Sequence, residues 1–435
     1  MTPGLPGHWC LYRVDFSAHP AAMPAAIDLP DMRRASREAL SLALMEARNH
    51  TLQLLACFEP ATGRELPATA SPGTVPPLWL AGHVAWLAEY WIARNPQRAL
   101  GPLCPADAVR LASVEPQADA WFDPRLVPRA QRWSLPLPDA AGIRAWLLDT
   151  LETTLELLDQ APDTDQGLYF FRMALFHEDW RGEDLVTLAQ TLGVPLGVAL
   201  PAGVATRPAL LLPATHWTLG WADDAGFALD IERGHEPVAV PEFEIDAQPV
   251  TWAQYVEFIA DGGYDREALW RPEGWAWLQQ EAAREGRRGP RHVEQIGVAS
   301  GAVMQTVFGR PTRMGPGQLV MHASWWEADA FARWAGRRLP TEAEWEIAAL
   351  QAGRRGFRWG DVREWTAGTL RPFAGFRPEA WTALAELDAQ PLFGRARVLR
   401  GASFATRPRM RHARARGWAL PERDEGFVGF RTCAI

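Results

Sequence analysis

Few side chains in this chain are chemically reactive, and their types narrow the chemistry before any fold is considered. The 435 residues include no lysine, so all 44 basic residues are arginine. Schiff-base catalysis and a Walker-type phosphate loop are therefore not available. Four cysteines, at positions 10, 57, 104 and 433, are scattered without the paired spacing of metal or redox sites. His83 interrupts an apolar helical segment, PLWLAGHVAWLAEYW, where a lone histidine usually packs in the core. His177 lies in FRMALFHEDWRGEDL with Arg181 four positions on, and one turn of helix puts both on the same face. The run FATRPRMRHARARGW carries Arg407, Arg409, Arg411, Arg414 and Arg416. These suit a carboxylate-binding wall, the alternative being a salt-bridged surface.

The elements that must position these groups follow from hydropathy and punctuation. Residues 1–29 are rich in proline and alanine and read as an irregular arm. Asp31 after Pro30 is placed to cap a helix running through Phe58, with Leu40, Leu44, Ala47 and Leu54 among its apolar positions. Further helices are expected near Leu78–Asn95, Ala140–Gln160 and Gln166–Leu192, the last stopped by Gly193 and Pro195. Four amphipathic segments with one long connection, Pro96–Asp139, fit a bundle with a crossover over residues 30–195. Residues 196–213 read as a linker, and 214–435 as a second domain.

Composition excludes several partner classes. A net charge of −8 argues against nucleic acid and anionic membranes, both of which favour a basic face. An apolar content of 48% is ordinary for a globular protein, and the length suggests two cores. The start, MTPGLPGHWCLYR, lacks a basic and apolar leader pattern, and no apolar run approaches membrane length. The expected location is the reducing cytoplasm.

The stretch His322 to Glu346, HASWWEADAFARWAGRRLPTEAEWE, combines tryptophan, acid, arginine and turn in a fixed order. Its spacing predicts a helix over Trp326–Gly336, an exit turn, and a second helix capped by Thr341 with Glu344 three positions on. The indoles are expected to be packing scaffold. This order resembles the formylglycine-generating-enzyme type of domain, also used by ergothioneine-forming sulfoxide synthases and selenoneine synthases. FEIDAQPVTWAQYVEFIADGGY (243–264), GDVREWTAG (360–368), VLRGASFATRPRM (398–410) and PERDEGFVGFRTC (421–433) agree with it in the same order. The implied fold class is α + (α+β): an N-terminal DinB-like four-helix bundle, then a C-terminal formylglycine-generating-enzyme-like domain of the sulfatase-modifying-factor, C-type-lectin-like kind.

The resemblance also implies a site. In these synthases a histidine of the second helix and a His-x-x-x-His pair of the fourth bind ferrous iron. Here His83 and His177 match two of those positions as metal ligands, and Arg181 stands at the third. Guanidinium offers only donors, and its charge would oppose a cation by about 4 kcal/mol at ~4 Å and an effective dielectric of ~20. His50 or Glu178 are candidate replacement ligands; the other possibility is a cavity in which Arg181 binds an anion. Asp184 lies two turns from His177, too far to reach the same ion.

For substrates, the resemblance implies an N-trimethylated histidine and a sulfur or selenium donor. Trp418 matches an indole of the ergothioneine branch, and Arg423 an arginine used for a donor carboxylate. The flanking asparagine and aspartate of that branch are Gly417 and Ala419 here, which disfavours γ-glutamylcysteine and suits a selenosugar donor. Where the family has an acid-donating tyrosine, this chain has PFAGFRPEAW with Trp381 nearby, and indole is a poor proton donor. Formylglycine generation uses two late cysteines, and Cys433 is the lone cysteine there. Two functions are thus expected: an Fe(II)- and dioxygen-dependent synthase joining sulfur or selenium to the imidazole, or a metal-free homologue holding a betaine or carboxylate through Trp418, Arg181 and Arg423.

Overall fold

Proline, serine and glycine set the helix limits in the N-terminal half of the computed structural model, which describes residues 26–62, 74–222, 226–297 and 300–435. Most of the expected N-terminal arm, residues 1–25, lies outside the described residues. Asp31 does not cap the first helix. It sits in a 3-10 turn, Pro30–Arg34, and α1 runs Arg37–Thr62, its first turn closed on the Ser36 carbonyl. The break has a tertiary cause, because the Arg33 guanidinium is drawn to Glu232 and the Phe227 carbonyl. Helix α2, Pro77–Ala88, opens on a proline, which loses no hydrogen bond at that position, and continues into a π turn, Glu89–Ala93. The long connection holds a short helix, α3 (Ala118–Phe122). Asp139 caps α4, Ala140–Asp159, by accepting from the Gly142 N–H at 2.8 Å. Thr164 caps α5, Asp165–Leu192, which ends on Gly193 at φ 68°, a left-handed position that glycine takes without strain.

The chain divides into two units. The first takes in Ala35–Leu200 with Phe308–Arg310, and the second Leu29–Arg34, Pro201–Val307 and Pro311–Ile435. In the first, α1 packs on α4 and α5, and α2 on α4 and α5. Gly82 permits a close approach of α2 to α3: a Cβ there would fall 2.4 Å from the Phe122 ring.

The second unit is mixed and short of regular structure. Its strands are β1 (Leu210–Leu212), β2 (Thr215–Leu219), β3 (Glu236–Val240), β4 (Phe243–Ile245), β5 (Val293–Gly297), β6 (Ala302–Val307), β7 (Arg310–Met314), β8 (Arg363–Thr369), β9 (Arg397–Arg400), β10 (Arg416–Ala419) and β11 (Val428–Phe430). The segment expected as a linker therefore ends in a strand, β1, paired with β4. The largest sheet has the order β10-β9-β8-β11, antiparallel except for β11 on β8. Helices α6 (Trp252–Ala260), α7 (Pro272–Glu285), α8 (Trp325–Trp334), α9 (Glu342–Gln351) and α10 (Ala380–Leu384) complete it.

The tryptophan-rich stretch behaves as scaffold. The Thr341–Glu344 capping box is present, and a second box, Ser324 with Glu327, opens α8 one residue earlier than its apolar spacing indicates. Trp325 Nε1 donates to the Thr366 carbonyl and Trp365 Nε1 to that of Ala323, each at 2.8 Å. Beneath the sheet, Arg431 forks onto Glu364 of β8, both fully buried. Among the described residues, no helix is long and apolar enough to cross a membrane.

Candidate functional site

Helices α2 and α5 bring His83 and His177 together in the core of the first unit. Their ring centroids are 5.2 Å apart at 62°, and His83 stacks on Trp79 at 4.7 Å. Arg181, one turn beyond His177, folds back onto it. Its Nε donates to His177 Nε2 at 3.2 Å, and its Nη1 to Asp184 Oδ2 at 2.5 Å. Burial, then the Arg181 charge, then His83 hold His177 well below its ordinary pKa. The ring is therefore neutral at pH 7, with Nε2 the acceptor and the proton on Nδ1.

This arrangement was tested against the ferrous iron implied above, and it does not fit. A metal requires the Nε2 lone pair that Arg181 now holds, and tolerates no guanidinium beside it. Glu178 is not available as a replacement ligand: Arg48 grips it through Nε (2.8 Å) and Nη2 (3.1 Å), and Thr51 donates at 2.9 Å. His50 is buried against α5 at Gly182, where a Cβ would stand 3.4 Å from its Cδ2. Among the described residues no group of three or more His, Cys, Asp or Glu is placed to hold a metal. We expect the wild type to remain far below stoichiometric iron after anaerobic reconstitution, and Arg181→His to take up about one ion per chain. Metal analysis checks this, and stoichiometric wild-type iron lost in His83→Ala would contradict it.

The second unit carries Trp418 and Arg423. Trp418 lies on β10, opposite Val398 of β9, and is half-buried. Arg423 is also half-buried, with Nε 3.1 Å from Glu425 Oε2. The arginine run before them is a salt-bridged lattice rather than an open wall. Arg416 pairs with Glu342, Arg414 approaches Glu346, and Arg411 donates to the carbonyls of Thr406 and Phe404. Trp381 is buried, its Nε1 fixed on Glu379 Oε2 at 2.7 Å, which leaves the indole a structural role. Cys433 is fully buried, and burial pushes its thiol up, away from thiolate chemistry.

Sequence reasoning missed a polar cluster beside Arg423. Asp424 is held by Arg287 and Arg291, and His292 meets His322 edge to face. Nothing in the residue spacing marks these groups, which come from segments more than a hundred positions apart.

Comparison with known proteins bears on what such a scaffold does. Residues 201–361 and 358–434 match the sulfatase-modifying factor enzyme 1-like domain. The hercynine oxygenase of Mycolicibacterium smegmatis is 32% identical over 91% of this chain and 98% of its own length. The chain belongs to the hercynine oxygenase family. It is thereby an oxidoreductase, and a divergent member of that family. Other relatives of this hercynine oxygenase homologue match a shorter part of it. The formylglycine-generating enzyme of Streptomyces coelicolor is 34% identical over 36% of this chain and 51% of its own. The inactive Cα-formylglycine-generating enzyme 2 of Mus musculus is 33% identical over 37% and 54%.

Proposed function

We propose that this protein acts on hercynine or a close trimethylammonium imidazole, replacing the imidazole C–H by a bond to sulfur or selenium with dioxygen as the electron acceptor, as ergothioneine- and selenoneine-forming synthases do. The observation that carries this reading is the alignment with a hercynine oxygenase over nearly the whole of both chains. Four long helices packed with a crossover connection support a DinB-type first domain. In the second domain, the half-buried indole of Trp418 suits the trimethylammonium group, which cannot donate a conventional hydrogen bond and is bound by aromatic faces. Arg423 suits a carboxylate of substrate or donor. Three buried free cysteines fit a reducing cytoplasm.

Trp418→Ala is expected to weaken hercynine binding about 5- to 30-fold, the loss of about 1–2 kcal/mol of cation–π attraction. Titration calorimetry checks it, with Trp217→Ala as the control.

The Arg181–His177 hydrogen bond favours a second reading, a metal-free homologue that holds a betaine or carboxylate without turnover. One experiment separates the two. Purified protein is given hercynine, dioxygen and either γ-glutamylcysteine or a selenosugar, with and without ferrous iron, and products are read by mass spectrometry. A carbon–sulfur or carbon–selenium product supports the synthase, hercynine bound but unchanged supports the second reading, and no interaction with hercynine rejects the synthase.

A further inference from the structure

The segment Pro421–Phe427 is anchored far more heavily than a surface turn requires. Its ends are pinned by Trp325 N–H on the Pro421 carbonyl (2.9 Å) and Arg363 N–H on that of Phe427 (3.0 Å). In its middle, Asp424 is buried and takes Arg287 Nη1 at 2.7 Å and Arg291 Nε at 2.6 Å. Two guanidiniums on one buried carboxylate is a charge-assisted clamp. The imidazole of His322 lies beside the backbone of Glu425 and Gly426, and its ring meets that of Phe427 at 5.1 Å.

Backbone strain adds to this. His322 has φ 61° and His292 φ 67°, left-handed conformations that a side chain of this size adopts only where its surroundings impose them. The two rings meet at 4.9 Å, and His292 follows directly on Arg291. Such strain gathers where a group must be held in one place.

What the segment presents is Arg423. Glu425 Oε2 lies 3.1 Å from Arg423 Nε and accepts the Asp424 N–H at 3.2 Å, so the clamp on Asp424 and the His322 contact both reach Arg423 through Glu425. The Arg423 side chain remains 40% exposed, with its Nη pair left to meet a ligand. We propose that Pro421–Phe427 is a rigid mount that aims Arg423 at a ligand carboxylate, with Asp424 and His322 as positioning residues. This rests on the reading that Arg423 meets a carboxylate, and the test separates the two.

Titration calorimetry would compare hercynine with trimethylhistamine, its carboxylate-free analogue, on wild type, Arg423→Ala, Asp424→Asn and the double variant. Arg423→Ala is expected to lower hercynine affinity about tenfold, the worth of a charge-assisted contact, and to leave trimethylhistamine unchanged. Asp424→Asn is expected to show the same selectivity, and the double variant to bind no worse than Arg423→Ala. A purely structural role for Asp424 would weaken both ligands, or add to the Arg423 effect, and either result overturns the proposal. Loss in Arg423→Ala with none in Asp424→Asn overturns it too, and no loss in Arg423→Ala, either for hercynine or for γ-glutamylcysteine titrated as a donor carboxylate, removes the reading beneath it. If Asp424→Asn does not fold, His322→Asn takes its place with the same expected pattern, since asparagine tolerates the left-handed backbone.

Discussion

Arg431→Met is expected to destabilise the second unit by about 3–5 kcal/mol, the usual cost of stranding one member of a buried ion pair. Arg431 and Glu364 have no exposed surface. The guanidinium meets Glu364 with Nε at 2.5 Å and Nη2 at 2.7 Å, and donates Nη1 to the Asp246 carbonyl at 2.9 Å. Methionine approximates the stem but leaves a carboxylate in the core with no counter-charge, and takes from the Asp246 and Arg358 carbonyls the guanidinium donors they accept. Removing both charges, in Arg431→Met with Glu364→Leu, should recover much of the loss, because the desolvation penalty goes with them. Urea unfolding followed on the second unit's own transition checks both, since a chain of two units need not unfold in one step. A loss below about 1 kcal/mol in the single variant would mean that water reaches the pair.

Asp230 is expected to make stability fall as pH rises from about 4 to 6. Its carboxyl is pushed up to about 6 from an ordinary 3.8, chiefly by burial, with the Glu379 charge adding to the rise and the Glu379 N–H opposing it. The native state therefore binds a proton more tightly than the unfolded chain. Below pH ~4 both states are protonated and the group costs nothing, whereas above pH ~6 the native state must hold a buried carboxylate. A displacement of that size corresponds to about 3 kcal/mol. Asp230 accepts from Ile231 N–H (2.7 Å), Glu379 N–H (3.1 Å) and the Thr382 hydroxyl (3.2 Å), donors that favour the carboxylate and so limit the rise that burial imposes. In Asp230→Asn this pH dependence should vanish from the stability curve, so that the difference between wild type and variant changes by about 3 kcal/mol between pH ~4 and ~6. Parallel curves across pH 4–7 would show that the carboxyl titrates normally.

Much of the architecture was legible because its signals are local. Pro77, Asp139, Thr164 and Gly193 each act within one turn of the helix they begin or end, and the Thr341 capping box needs only four residues. Asp31 failed as a cap because Arg33 is claimed by Glu232, 199 positions away, and no window on the sequence contains both. The candidate site divides the same way. That Arg181 shares a face with His177 follows from helix geometry, and so does its conflict with a cation. That Glu178 is already spent on Arg48 and Thr51, 130 and 127 positions away, does not. The arginines around Arg414 looked equally suited to a ligand or to carboxylates of their own chain, and only the fold brings Glu342 and Glu346 beside them. Asp424, His292 and His322 were invisible for the same reason.

The synthase reading requires that this chain recognise a trimethylammonium imidazole, and one titration tests that requirement most directly. Hercynine and unmethylated histidine are titrated by calorimetry into wild-type protein, in the presence of a chelator. The expected result is saturable binding of about one hercynine per chain, with histidine at least about tenfold weaker because it lacks the quaternary ammonium that an aromatic face holds. Equal affinity for the two, or no binding of hercynine, would contradict the account.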